Sequence, residues 1–170
     1  MSAETITTAL FLITAVVASA VLINAVYPVV FNMAGTFSST THQSDVRIRT
    51  DFKIITTFAS ESAGTAQVWM KNIGSEQISL EEIKRSDVFC GAVGNFDRLG
   101  YQNVYPASLD SGNWTETFDS GYDLNNNQFW DPGETLKVTA KTTIPATGSR
   151  IYFQFATPNG IWRSNEFTVS

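Results

Sequence analysis

ITTALFLITAVVASAVLINAVY, residues 6–27, decides how the rest of the chain must be read. The run holds no charged residue, and Thr, Ser and Asn24 are its only polar members. Charge is absent from the whole span between Glu4 and Asp45. An α-helix rises about 1.5 Å per residue and a bilayer's hydrocarbon core is roughly 30 Å thick, so about 20 apolar residues cross it. This run has 22. Apolar on every side, it offers no face to water. The competing reading, a central helix of a soluble fold, rarely runs this long without a charge.

A secretory signal peptide is the second competitor. No Lys or Arg precedes the apolar core, and that core exceeds the usual h-region of about 7–15 residues. Ala18-Ser-Ala20 resembles a cleavage site but lies inside the run, with Val21, Leu22 and Ile23 following. An uncleaved anchor is therefore expected. Orientation is weakly encoded, because the first basic residues after the run are Arg47, Arg49 and Lys53, at the edge of the window where the positive-inside bias acts.

Working outward, Ser2 is a suitable N-cap and Glu4 suits the positive end of the helix dipole. Thr14/Ala18 and Ala15/Ser19 are small-residue pairs at i,i+4 spacing, and Asn24 could hydrogen-bond across a helix contact. These five residues form the expected helix-packing face. Pro28 lacks an amide hydrogen, which predicts a kink or stop. The expected division is a membrane-anchor helix over 1–35, a Ser/Thr-rich linker over 36–45, and a folded domain over 46–170. His42, the single histidine, falls in that linker.

The 125 residues from Val46 onward suffice for a core of their own. A net charge of −5 lacks the basic stripe that nucleic acid demands. One cysteine, Cys90, excludes an intrachain disulfide, and its V-F-C-G-A-V context reads as a small buried residue on a strand.

From Val46 the period becomes two: Val46, Ile48, Phe52 and Ile54 share one face of an expected strand. Further strands are expected over 66–73, 87–93, 96–105, 113–118, 135–143, 150–157 and 161–169. Pro158-Asn-Gly160 is a hairpin signal, and Ser79-Leu-Glu-Glu82 a capping box opening a short helix. Many short strands with regular turn residues predict a mainly β fold, an immunoglobulin-like antiparallel β-sandwich behind a transmembrane α-helix.

Catalytic chemistry has little to stand on. Neither His42 nor Cys90 lies in a suitable context, and no G-x-S-x-G, P-loop or H-E-x-x-H is present. The chain reads as a non-enzyme without a small-molecule substrate. One stretch is chemically pointed: Asp123-Leu-Asn-Asn-Asn-Gln-Phe-Trp-Asp-Pro-Gly-Glu134. Asp123, Asn125, Asn127, Asp131 and Glu134 fall at positions 1, 3, 5, 9 and 12 of a calcium loop, with the Phe129 carbonyl at position 7. Gln128 stands where such loops carry glycine, and strands replace the flanking helices. The alternative is a hairpin loop of Asx-turns closed by Pro132-Gly133. Asn113-Trp-Thr115 is an N-glycosylation pattern that matters only if the domain lies outside the cell.

Residues 2–37 followed by D-V-R-I-R-T-D-F-K-I-I, with V-W-M-K-N-I-G at 68–74 and S-L-E-E-I-K-R-S-D-V-F at 79–89, carry a family resemblance. The chain resembles the archaellum accessory protein G family (FlaG, also ArlG), and the archaeal flagellins related to it. The resemblance implies a type IV pilin/archaellin-like layout, in a single-pass protein of the archaeal cell membrane with its C-terminal domain in the pseudo-periplasm. It implies a static role as stator or anchor of the archaellum, through self-association and a partner, archaellum protein F (FlaF, also ArlF), that contacts the S-layer. Filament-subunit precursors carry a basic leader ending in Lys/Arg-Gly. Here Glu4 is three residues from Met1, which favours the accessory protein over the alternative, an archaellin- or pilin-like filament subunit. A membrane lectin using Trp69, Trp114, Trp130 or Trp162 is a third reading.

Overall fold

The computed structural model describes residues 2–118 and 121–170, with side chains for all of these except 38 and 39. Its contacts divide the chain into two units, residues 1–45 and 46–170.

The first helix, α1, spans Ala3–Arg49 with Pro28 inside it. It passes the expected stop at Pro28, the expected linker over 36–45, and the first four residues of the expected strand at Val46. Pro28 withholds one amide from the turn before it, and the helix resumes. The Ser/Thr-rich segment is helical too, its hydroxyls bonded back along the helix: Thr36 Oγ1 donates to Asn32 O, Thr40 Oγ1 to Thr36 O and Thr41 Oγ1 to Phe37 O, at 2.9, 2.9 and 2.8 Å. Arg47 and Arg49 in the last turn suit its negative end. His42 is exposed on this helix. The apolar side chains of the first unit are not buried in the protein; Phe11, for example, is 73% exposed.

The second unit is a two-layered, mostly antiparallel β-sandwich verging on a barrel. Its strands are β1 (Phe52–Ser60), β2 (Thr65–Asn72), β3 (Ile78–Ser79), β4 (Asp87–Ala92), β5 (Asn95–Tyr101), β6 (Asn113–Thr117), β7 (Phe129–Trp130), β8 (Thr135–Lys141), β9 (Arg150–Ala156) and β10 (Trp162–Thr168). One layer is ordered β1-β2-β8-β6 and the other β5-β4-β9-β10, while β3 and β7 form a small separate ribbon. The layers are joined by a two-residue parallel pairing, Gly100 with Asn113 and Tyr101 with Trp114, where sequence reasoning expected antiparallel neighbours throughout. The expected strand over 96–105 ends at Tyr101, and Pro106–Ser108 forms a short 3₁₀ helix.

Alternation sets the core. In β2, Ala66, Val68, Met70 and Asn72 point inward, and in β9, Ile151, Phe153 and Phe155 do so. Phe155 meets Phe52 of β1 edge-on at 5.6 Å and Trp114 of β6 at 6.1 Å, so three aromatics bridge the layers. The helix α2, Leu80–Lys84, opens with the expected capping box: Ser79 Oγ accepts from Glu82 N, and Glu82 Oε2 accepts from Ser79 N. The β9–β10 hairpin turns at Pro158-Asn-Gly160 with Gly160 N bonded to Thr157 O at 2.9 Å. The outermost strands lie beside one another. Asp51, just before β1, pairs with Arg163 of β10, and Ser170 N donates to Ala59 O at 2.9 Å.

Candidate functional site

The residues singled out by sequence reasoning fall in three places. Thr14, Ala15, Ala18, Ser19 and Asn24 all lie on the exposed surface of α1, and their spacing puts each pair on one side of it. Thr14 Oγ1 and Ser19 Oγ donate to Leu10 O and Ala15 O, both at 2.7 Å, so these hydroxyls are satisfied without water. Asn113 starts β6, half-buried beside Gly100, where its Oδ1 would lie 2.7 Å from any Cβ on that glycine. Thr115, the third residue of the glycosylation pattern, is buried and donates its hydroxyl to Val104 O at 2.9 Å.

The third place is the Asp123–Glu134 loop. Asp123 accepts from Asn127 N at 3.2 Å and Gln128 N at 2.9 Å, and Glu134 accepts from Leu124 N at 2.8 Å and Asp131 N at 3.0 Å. Asn125 Oδ1 and Asn127 Oδ1 close Asx-turns onto Asn127 N and Phe129 N. Asn126 and Gln128 adopt φ of 55° and 64°, so Gln128 takes up the left-handed backbone that a glycine at this position would. Among the described residues no three His, Cys, Asp or Glu side chains converge as a metal-holding group. Any cation here would depend on amide and carbonyl oxygens beside the carboxylates.

The end of this loop is fastened to the core by residues whose role sequence reasoning did not assign. Asn72, buried at the end of β2, donates from Nδ2 to Trp130 O at 2.8 Å and Glu76 O at 2.9 Å, and accepts at Oδ1 from Gly74 N. Its backbone exchanges bonds with Glu134 O and Gly133 N. A Cβ on Gly74 would lie 2.3 Å from Arg49 O, so only glycine lets these two segments cross. The signal was in the V-W-M-K-N-I-G stretch, whose Asn and Gly are these two residues.

Cys90 is fully buried on β4, and burial pushes its thiol up to about 12, as befits a core residue. Trp114 and Trp130 are core residues too, while Trp69 donates to Tyr122 Oη at 3.3 Å under the Lys137 ammonium. Three of the four tryptophans thus take part in packing, while Trp162 is 55% exposed. Burial, and next the Glu116 carboxylate to which Tyr101 donates, hold the Tyr101 phenol well above its ordinary value. On the outer face of β5, β4 and β9, Phe96 packs tilted against Tyr152 at 4.5 Å and edge-on against Phe89 at 6.5 Å, with Phe96 43% exposed. Sequence reasoning missed this aromatic strip. Its trace is the bare Gly91, which lies opposite both Phe96 and Tyr152.

The helix meets the length and apolarity of one membrane span. Helix and sandwich together have known counterparts. The chain is similar to the archaellum periplasmic stator protein FlaG from Sulfolobus acidocaldarius, at 23% identity over 69% of this chain and 99% of that one, with a TM-score of 0.52. The FlaF–FlaG stator complex from the same organism matches at 22% identity over 68% of this chain and 87% of that one, with a TM-score of 0.51. The archaeal flagellum of Methanospirillum hungatei matches over 97% of this chain and 93% of its own, with a TM-score of 0.64 at 16% identity. An uncharacterised protein from Archaeoglobus fulgidus is 27% identical over 143 residues, 83% of this chain and 82% of its own. The model of archaeal-type flagellin matches residues 2–167, nearly the whole chain, and the chain belongs to that family.

Proposed function

We propose that this protein is a stator component of the archaellum. It sits in the archaeal cell membrane by a single pass, with its sandwich in the pseudo-periplasm, and resists the torque of the rotating filament. The observation that carries the reading is the likeness of fold to FlaG over 99% of that chain, joined to a helix long and apolar enough to span a bilayer. The 22-residue run holds the chain against extraction, and its Thr14/Ala18 and Ala15/Ser19 face serves self-association. The sandwich hands load to a FlaF-like partner and through it to the S-layer. Because β1 and β10 lie beside one another, contact by faces suits the domain better than strand addition at an edge. The role asks for no cofactor and no substrate.

The test is to tag the full-length protein in cells that carry archaella, shear off the filaments, and solubilise the membranes gently. The stator reading expects the protein in the membrane fraction, co-purifying with the FlaF homologue. Recovery as a major component of the sheared filaments, without that homologue, would mean a filament subunit instead.

A further inference from the structure

We infer that a cleft at the end of β6 receives a lysine side chain from a partner protein. The inference goes beyond the stator reading and holds equally for a filament subunit. β5 covers β6 only at Asn113 and Trp114. Past that pairing, β6 runs beside residues 103–106, and Thr115 Oγ1 ties the two segments together by donating to Val104 O at 2.9 Å. Between them lies a cleft of about 370 Å³, the volume of a small-ligand site. Val104, Pro106 and Phe118 give it apolar walls, and Tyr105, 86% exposed, stands at its rim.

Glu116 brings the charge. Tyr101 donates to its Oε1 at 3.0 Å, while its Oε2 is buried with no hydrogen-bond partner among the described residues. None of the ion pairs among those residues includes Glu116. Thr117, which also lines the cleft, carries a second buried oxygen without a partner. Acceptors left unmet are costly, and a donor arriving in the cleft removes that cost. The last torsion of a glutamate is soft, so a turn of the carboxylate offers Oε2 to the cleft. An ammonium fits this set better than a guanidinium. It has three donors and no acceptor, whereas a guanidinium pairs best with both oxygens of a carboxylate, and Tyr101 already holds one. Burial, and next Glu116 itself, hold the Tyr101 phenol well above its ordinary value, so it remains a donor and that oxygen stays taken. The Tyr105 and Phe118 rings suit a cation, and the apolar walls suit the four-carbon stem that carries a lysine's charge. With a net charge of −5, the chain favours a basic partner.

The first test titrates the full-length chain in detergent micelles with n-butylammonium chloride, against n-butanol at matched salt. Backbone amide signals of residues 115–118 should shift with half-saturation in the millimolar range, and butanol should leave them nearly still. Glu116→Gln keeps the shape and an acceptor for Tyr101 but not the charge, and should weaken the response at least tenfold. Tyr105→Ala, at an exposed position, should weaken it severalfold without changing the melting temperature. The second test applies a zero-length carbodiimide, which condenses a carboxylate with an amine in contact, to membranes from cells that carry archaella. Mass spectrometry should find Glu116 joined to a lysine of another protein, and Glu116→Gln should lose that adduct. Equal responses to butanol, an undiminished response in Glu116→Gln, or Glu116 joined to no other protein's lysine would overturn the site.

Discussion

Polar side chains behave differently in the two regions of this chain. In the first, hydroxyls turn inward on their own backbone: Thr7, Thr8, Thr14 and Ser19 each donate to the carbonyl four residues back. In the second, polar groups tie distant segments together. Asn72 holds Trp130, Asn159 Nδ2 reaches Thr50 Oγ1 at 3.1 Å, and Lys141 Nζ reaches Leu109 O at 2.6 Å. The first pattern suits a lipid solvent, where any unmet donor is costly and no water is at hand. The second suits an aqueous domain whose core and loops must specify one register.

Substitutions can separate the two regions. The largest effect is expected from Phe155→Ala, which removes the ring that bridges the layers and should cost about 3–5 kcal/mol. Denaturant unfolding of the full chain in micelles measures it, and membrane retention should not change. Val17→Arg, near the middle of the apolar run, should cost about 2.5–3.5 kcal/mol of insertion while the sandwich melts as before. Alkaline extraction followed by immunoblotting reads the loss. Asn72→Ala orphans buried partners at the loop end and should cost about 1–3 kcal/mol, with hydrogen exchange rising first around Trp130 and Glu134. If either of the sandwich variants weakened retention, or the helix variant lowered the melting point, the two regions would not be energetically separate.

Much of the sandwich was legible because alternation over six or more residues has no helical counterpart. β2, β8, β9 and the capping box of α2 were placed to within a residue or two for that reason. The end of α1 was misread for a related one. Val46-Arg-Ile-Arg49 alternates, but four residues also fit one helical turn, and the adjoining Ser/Thr run, rich in residues that favour caps and turns, reads as linker although it is helical. The parallel β5–β6 contact and the meeting of β1 with β10 are non-local, and no spacing announces them. In the loop, the ligand pattern was visible from sequence. The burial of Asp131 was not, because burial depends on what the fold packs above it.

The most direct measurement combines extraction with surface labelling. All five lysines lie between Lys53 and Lys141, within the sandwich. A membrane-impermeant amine reagent applied to intact cells should therefore label the protein, and the labelled protein should remain in the membrane pellet through alkaline carbonate. Labelling only after lysis, or release into the carbonate supernatant, would contradict a lipid-held helix carrying an outward-facing sandwich.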